Sequence, residues 1–173
     1  MPRADHLLAS DDALIAQCDV DRYRASGPGG QHRNKTESAV RLRHKPSGTT
    51  AIGEDSRSQA ENKLHAVRRL RRAIALEVRE PVRLDGFAPS PRLAGLVAGG
   101  TAPLGGKTRL TGEYWCAIAE LLDVLVAGDL EIAATAQRLG ITTGALSKLI
   151  LHDDQVARVV NDLRRGRGMR ALR

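Results

Sequence analysis

Three glycines in four positions, followed by a glutamine, form the part of the sequence with the clearest chemical potential. The run is Ser26-Gly27-Pro28-Gly29-Gly30-Gln31, named here the Gly-rich loop. Glycine tolerates positive φ and lets a backbone approach a ligand closely, so this loop could bring Gln31 and its main-chain N–H next to a substrate. A glutamine side chain does not titrate near neutral pH and is a poor general base. On its own, the run could equally be a plain surface turn.

Polar and cationic side chains lie on both sides of the Gly-rich loop. The candidates for contact with nucleic-acid phosphate are Arg22, Arg24, Ser26, His32, Arg33, Asn34, Lys35, Arg41 and Arg43. Arginine and lysine bind phosphate through charge-assisted hydrogen bonds, and such binding weakens strongly as salt rises. The same cations could instead form only a solvated face. His32 could act as a base, but a place on the rim of the loop is the favoured interpretation.

The charge balance of the whole chain also favours a partner that carries phosphate. The 173 residues include 27 Lys and Arg against 20 Asp and Glu, a net charge of +7. One Trp, two Tyr and one Phe are too few for the base-stacking platform of sequence-tolerant single-strand binders. No apolar run approaches the roughly 20 residues needed to cross a membrane, and the first residues fit neither a secretory signal nor a transit peptide. We therefore expect a cytoplasmic protein.

The two cysteines do not indicate a metal or redox site. Cys18 and Cys116 lie far apart in the sequence, each among apolar residues, and form no ligand motif. We expect buried free thiols, no metal and no cofactor.

Two short strands are expected on either side of the Gly-rich loop, where they would fix its position. Residues 20–24 can be extended, and residues 39–44 alternate so that Val40 and Leu42 would face a core. A turn at 45–48 and a returning strand at 49–52 follow. A short helix is predicted to begin near Ser10, and a longer one begins at Ser58, where the Ser-x-x-Glu spacing indicates a capping box.

The composition divides the chain into four segments. We expect an α+β domain at 1–80, a Pro/Gly-rich linker or draped loop at 81–112, a helical module at 113–165 and a basic tail at 166–173. The long helix of the first domain would bury one apolar face and end at Pro81; that face comprises Leu64, Val67, Ile74 and Val78. Helices of the module are predicted at 113–127, 129–139, 143–151 and 153–165.

Part of the helical module has the pattern of a helix-turn-helix. Ala136, Gly140 and Leu146 match its small, turn and apolar positions, and Leu139, Ile141 and Leu149 would supply its core. Such a module could be purely structural or could contact nucleic acid. The second helix would offer Thr142, Thr143, Ser147 and one cation, Lys148, which is little for reading a groove.

The residues around the Gly-rich loop closely resemble the catalytic domain of class I peptide chain release factors. The resemblance rests on residues 21–41 together with His44-Lys45-Pro46-Ser47-Gly48 and Arg57-Ser58-Gln59, and extends from 19 to 75. It implies an α+β domain that enters the peptidyl transferase centre of the large ribosomal subunit. There such domains hydrolyse the ester that joins a nascent peptide to tRNA. Gly29, Gly30 and Gln31 occupy the catalytic positions.

The resemblance also implies roles for individual residues and a set of partners. In the family, the main-chain N–H of the glutamine stabilises the transition state or the leaving hydroxyl, and its side chain shapes the water site. The family's glutamine can also carry an N5-methyl group. Arg33 stands where many release factors have valine, and this departure favours an additional RNA phosphate contact. The implied partners are large-subunit ribosomal RNA and peptidyl-tRNA, bound by a monomer.

Stop-codon reading is not expected, because class I factors use further domains for it and the resemblance here begins at residue 19. We expect a stand-alone factor that releases peptides from stalled ribosomes without a codon. In one such group a basic tail occupies the empty mRNA channel, and the matching residues are Arg164, Arg165, Arg167, Arg170 and Arg173. These could equally form a solvated or generally RNA-binding end. Two alternatives remain: a factor that needs a separate codon-reading partner, and a helix-turn-helix regulator.

Overall fold

The computed structural model describes residues 1–24, 37–99 and 111–173. The chain divides into two compact units, Met1–Val78 and Arg79–Arg173. Within the described ranges, no helix is both long and apolar enough to cross a membrane. The first unit contains a small antiparallel sheet with helices, and the second is helical, so the predicted α+β fold followed by a helical module is confirmed.

Three strands form the sheet of the first unit, in the order β1-β2-β3. They are β1 (Cys18–Tyr23), β2 (Ala39–His44) and β3 (Thr50–Gly53), and both pairings are antiparallel. Along β2 the side chains of Val40, Leu42 and His44 are buried, while Arg41 and Arg43 are exposed. This is the alternation expected of a strand with one covered face, and it confirms the sequence prediction for β2.

Helix α3 (Gln59–Glu77) covers the buried face of β2 and β3. Its N-cap is Ser58, whose hydroxyl accepts a hydrogen bond from the Glu61 N–H at 3.3 Å, as predicted. The Glu61 carboxylate does not close the capping box on Ser58; it accepts from the Ser56 hydroxyl, and that hydroxyl accepts from the Ser58 N–H at 3.0 Å. Ser56 therefore relays the contact that a capping box would make directly.

The buried face of α3 differs in part from the predicted one. Val67 and Ile74 are buried as expected, but Leu64 is 45% exposed. The first turns of α3 rest on the sheet through Asn62 and Ala66, both 0% exposed, and this orientation turns Leu64 to solvent. The helix ends at Glu77 rather than at Pro81.

Two short helices precede the sheet: α1 (Arg3–Leu8), which was not predicted, and α2 (Asp11–Ala16), which was. The Ser10 hydroxyl caps α2 by accepting from the Ala13 N–H at 3.2 Å. Arg71 of α3 is buried and donates to the Ala9 carbonyl at 2.8 Å and to the Asp11 carboxylate at 3.1 Å. One guanidinium thus holds both the end of α1 and the start of α2.

A buried histidine pair joins α1 to the sheet. His6 Nδ1 and His44 Nε2 lie 2.5 Å and 3.1 Å from the same acceptor, Gln17 Oε1, and the two rings pack edge to face. His44 Nδ1 lies 2.7 Å from the Ser47 hydroxyl. Burial, and secondarily the charge of His6, lowers the pKa of His44, so its neutral form is favoured inside the fold.

The second unit consists of five described helices: α4 (Pro91–Ala98), α5 (Gly112–Ala127), α6 (Ile132–Arg138), α7 (Thr143–Leu151) and α8 (Asp154–Gly166). Helix α4 lies in the Pro/Gly-rich segment, which we expected to be a linker or a draped loop without long regular elements. Its start carries a Ser90 cap and Pro91 in the first turn, and it packs on α5. Leu93 of α4 and Ile118 of α5 are fully buried.

Helices α6 and α7 form the predicted helix-turn-helix. Gly140 adopts φ +69° in the turn, Ala136 and Leu146 are buried, and the Thr142 hydroxyl caps α7 by accepting from the Ala145 N–H at 3.1 Å. Helix α6 begins three residues later than expected because Asp129 and Leu130 adopt φ of +56° and +60°. These angles are costly for residues other than glycine and cannot continue a right-handed helix.

Candidate functional site

The Gly-rich loop belongs to the connection between β1 and β2, residues 24–38. Its central part, residues 25–36, lies outside the residues that the structure describes. The predicted site residues within that part are Ser26, Gly29, Gly30, Gln31, His32, Arg33, Asn34 and Lys35. The two ends are described: Tyr23 and Ala39 are paired across the strands, and Arg24 Nε lies 3.6 Å from Glu37 Oε1. The base of the β1–β2 connection is therefore closed by a strand pair and an ion pair.

Helix α3 holds the second end of this connection through two side-chain amides. Gln59 Nε2 donates to the Glu37 carbonyl at 2.7 Å, and Asn62 Nδ2 donates to the Ser38 carbonyl at 2.8 Å. Asn62 also donates to the Ser56 carbonyl at 2.7 Å and accepts from the Ser56 N–H at 2.8 Å. The amide of Asn62 thus ties the foot of the connection to the segment that precedes α3.

Asn62 was not among the predicted site residues, although the sequence contains a signal for it. Asn62 stands four and eight positions before Ala66 and Leu70, so it lies on the apolar face of an amphipathic helix. A buried amide on such a face must find hydrogen-bond partners. Gly53 supports the same contact, because a Cβ there would lie 1.9 Å from the Asn62 carbonyl oxygen, so only glycine lets β3 come this close to α3.

Tyr23 fixes the first end of the connection. Its hydroxyl donates to the Glu54 carboxylate at 3.1 Å, and the Arg41 guanidinium lies 5.0 Å from the centre of its ring. Burial first, and then the hydrogen bond and charge of Glu54, raises the pKa of Tyr23, so the phenol stays protonated as a donor. The end of β1 is therefore linked to both β2 and the segment after β3.

The four described cations of the predicted phosphate-binding set do not share one face. Arg41 and Arg43 project from the exposed face of the sheet, whereas Arg22 is paired with Val40 and projects to the opposite face at the edge strand β1. Arg24 lies just beyond β1, at the base of the connection. The structure thus distributes these cations around the connection instead of collecting them in one patch.

Two of these cations are engaged in weak surface ion pairs. Arg41 lies 3.5 Å from the Asp21 carboxylate, and Arg24 pairs with Glu37; all four side chains are largely exposed. Such pairs contribute about 0.2–1 kcal/mol, so a phosphate could replace the carboxylate at little cost. Within the described ranges, Arg22 and Arg43 form no ion pair, and Asp19 opposite Arg43 pairs with Lys45 at 3.2 Å.

A second group of charged residues lies where β3 leads into α3. Arg69 donates to the Ile52 carbonyl at 2.7 Å and forms a two-point contact with the Asp55 carboxylate at 2.9 Å, which His65 also approaches at 3.3 Å. The hydrogen bond from Arg69 lowers the pKa of Asp55. We interpret this group as a support for β3. Nowhere in the described ranges do three His, Cys, Asp or Glu side chains come together as a metal site would require.

The predicted arginines after residue 163 differ in what they contact. Arg164 is used internally, donating to the Leu130 carbonyl at 2.5 Å and to the Arg170 carbonyl at 2.9 Å. Arg165 pairs with Asp162, and Arg167 lies 3.2 Å from the Asp129 carboxylate. Arg170 and Arg173 are exposed. Only some of the five side chains are therefore available to a partner.

Comparison with known proteins agrees with the geometry of the first unit. The family that matches is the RF-1 domain, over residues 14–83. Peptide chain release factor 1 of Leptothrix cholodnii is 49% identical over 73 residues, which are 42% of this chain and 19% of that protein. Release factor 1 of Nitrosospira multiformis is 50% identical over 68 residues, 39% of this chain and 18% of that protein.

A release factor of the second type gives a similar match. Peptide chain release factor 2 of Acidithiobacillus ferrooxidans is 54% identical over 60 residues, 35% of this chain and 16% of that protein. The matched part of the chain thus spans less than a fifth of the length of these relatives. The RF-1 match over residues 14–83 includes β1, β2 and the connection between them. Residues 14–83 of this chain therefore match the RF-1 domain, the domain of class I release factors that carries the Gly-Gly-Gln motif.

Proposed function

We propose that this protein hydrolyses the ester bond between a nascent peptide and tRNA in the peptidyl transferase centre of the ribosome. The observation that carries the proposal is the position of Gly29-Gly30-Gln31 in the connection between β1 and β2, inside the RF-1 domain. Release factors as a family act on the ribosome. The anchored base of the connection supports a role in which the loop is presented to a substrate.

The chemistry required of the loop is modest. Water attacks the ester carbonyl, the bond from the carbonyl carbon to the tRNA ribose oxygen breaks, and that oxygen leaves with a proton. Negative charge develops on oxygen during this step, and a preorganised N–H aimed at it accelerates such reactions on the order of 10²- to 10³-fold. The main-chain N–H of Gln31 would supply this donor, while its side chain shapes the water site.

The remaining catalysis must come from elsewhere, because a glutamine cannot serve as a base near neutral pH. Ribosomal RNA and the tRNA itself would provide it. Cations around the connection would hold the domain against RNA phosphate. The described ones are Arg22, Arg24, Arg41 and Arg43; those outside the described ranges are Arg33 and Lys35, with Ser26, His32 and Asn34 as polar neighbours.

We propose further that release does not depend on a stop codon and serves stalled ribosomes in the cytoplasm. This proposal is supported by the residues that follow the RF-1 match, which form helices α4–α8. Its helix-turn-helix exposes only one cation on α7, Lys148, and few groups suited to reading bases. A factor that needs a separate codon-reading partner remains the alternative.

Peptide release from purified ribosome complexes tests both parts of the proposal. Wild type should release peptide from nonstop complexes. Gly30→Ala should lose most of this activity, and Gln31→Ala, which keeps the main-chain N–H but lacks the side chain, should lose a smaller part; both should remain folded. Gln137→Ala, an exposed glutamine of α6, is the matched control and should act as wild type. Equal release by wild type and Gln31→Ala contradicts the catalytic proposal. Release only at a stop codon, and only with an added partner, contradicts codon independence.

A second candidate function rests on the geometry of α6 and α7. The positive φ of Gly140 and the buried Ala136 and Leu146 give this pair the arrangement of a helix-turn-helix, with Thr143 exposed on α7. A regulator of this kind would bind duplex DNA with sequence preference. That binding would survive Gln31→Ala and would be lost on replacing Thr143 and Ser147 with alanine.

A further inference from the structure

The basic segment after α8, residues 167–173, folds back along that helix; we name it the strap. Helix α8 ends in a Schellman motif: the Met169 N–H donates to the Arg164 carbonyl at 2.9 Å, and the Gly168 N–H donates to the Arg165 carbonyl at 3.0 Å. Gly168 adopts φ +70°, which this motif requires. The motif reverses the chain direction, so the strap runs antiparallel to α8.

Two side chains of α8 hold the strap in place. The amide of Asn161 makes a reciprocal contact with Leu172, accepting from its N–H at 2.7 Å and donating to its carbonyl at 3.4 Å. Arg164 Nε donates to the Arg170 carbonyl at 2.9 Å, and its Nη1 donates to the buried turn at Leu130. Together with the Schellman motif, the contacts of Asn161 and Arg164 fix the strap at three successive points.

This arrangement collects cations on one surface. From 155 to 173 the sequence has six arginines and one carboxylate, Asp162, which pairs with Arg165. Arg164 donates to two backbone carbonyls, and Arg167 pairs with Asp129. Because Arg170 lies beside Arg164, and Leu172 beside Asn161, the strap places its exposed arginines along α8. The resulting surface consists of Arg158, Arg170 and Arg173, which are exposed and form no ion pair within the described ranges.

We propose that the strap and α8 form one preorganised surface that binds the phosphate backbone of RNA. Arg158, Arg170 and Arg173 would contact phosphates, and Asn161 and Arg164 act as positioning residues. The choice of RNA rests on the proposed function, because a ribosome-bound protein meets RNA phosphate at high density. A folded strap loses less conformational freedom on binding than a flexible tail, so the anchors strengthen binding without touching RNA.

Equilibrium binding of the full chain to a 20-base-pair RNA duplex of arbitrary sequence, across a series of KCl concentrations, tests the proposal. Arg170→Gln with Arg173→Gln should weaken binding at least about fivefold and reduce the slope of log affinity against log salt by about 2. The charge-matched control is Arg83→Gln with Arg92→Gln, two exposed cations of the same unit. It should bind nearly as wild type does.

Asn161→Ala separates positioning from charge. It removes no cation, so the salt slope should stay that of wild type while affinity falls about threefold, the cost of ordering a loosened strap. Thermal unfolding checks that each variant is folded. Equal losses in the strap variant and in its charge-matched control would overturn the surface, because binding would then follow net charge alone. Wild-type affinity in Asn161→Ala would overturn the positioning role.

These outcomes are independent of catalysis. Gln31→Ala should bind the duplex as wild type does, so failure of peptide release with intact strap-dependent binding contradicts only the proposed function. Normal peptide release together with duplex binding that ignores the strap substitutions contradicts only the present proposal. Truncation after Leu163 is a less specific experiment, because it removes the Arg164 anchor together with the exposed cations.

Discussion

Asn62 joins the foot of the β1–β2 connection to helix α3, and removal of its amide should loosen that foot. The side chain is 0% exposed and makes three hydrogen bonds, to the Ser38 carbonyl, the Ser56 carbonyl and the Ser56 N–H. Asn62→Ala leaves all three backbone groups without this partner. At about 1 kcal/mol for each bond, the free energy of unfolding of the first unit should fall by about 3 kcal/mol.

The assay is urea unfolding followed by far-ultraviolet circular dichroism, with hydrogen exchange of peptides from residues 1–78 to assign the transition. Gln59→Ala is the matched control, because it removes one exposed hydrogen bond to the same connection and should cost below about 1 kcal/mol. Asn62→Asp should be at least as destabilising as alanine, since a carboxylate oxygen would replace the amide nitrogen beside two carbonyls.

The same variant should affect function while the protein remains folded. Faster hydrogen exchange at residues 37–39 and slower peptide release are expected in Asn62→Ala under conditions where it is fully folded. A loss of stability no larger than that of Gln59→Ala, with unchanged exchange at residues 37–39, would refute the idea that this amide positions the connection.

Further predictions concern packing and pH. Gly53→Ala should destabilise the first unit by several kcal/mol in urea unfolding, because its Cβ would lie 1.9 Å from the Asn62 carbonyl oxygen; Gly95→Ala in α4, with open space around it, should be neutral or stabilising by about 0.5–1 kcal/mol. The folded-state pKa of His44 lies below its ordinary value of 6.5, so the unfolded chain takes up this proton first and stability should fall as pH drops below about 7. Unfolding measured from pH 7 to 5 should show a smaller pH dependence in His44→Gln, and an unchanged dependence would contradict the assignment.

Local rules predicted much of the first unit. The alternation in β2, the serine caps of α2 and α3 and the helical periodicity after residue 112 all appear in the structure, because each depends on residues close in sequence. Helix α1 was missed because its contacts come from distant residues. Arg3, for example, donates to the Val78 carbonyl at 2.7 Å, which no local pattern reveals.

Other differences also have tertiary causes. Leu64 fits the helical period of α3, but the side of the helix that meets the sheet is decided by the close approach of Gly53 to Asn62. The sequence predicts that Arg164 is one cation of a basic tail. In the structure its side chain instead binds the strap and the turn at Leu130. In both cases the type of element could be predicted, while the partner of a particular side chain could not.

The proposed chemistry depends on the main-chain N–H of Gln31, which would stabilise the transition state of ester hydrolysis. Single-turnover peptide release from nonstop ribosome complexes, at saturating protein, tests it most directly with Gln31→Pro, which removes this donor, and Gln31→Ala, which keeps it. We expect Gln31→Pro to lower the rate on the order of 10²- to 10³-fold and Gln31→Ala to retain more of it. Release by Gln31→Pro at the wild-type rate would rule out this role of the N–H.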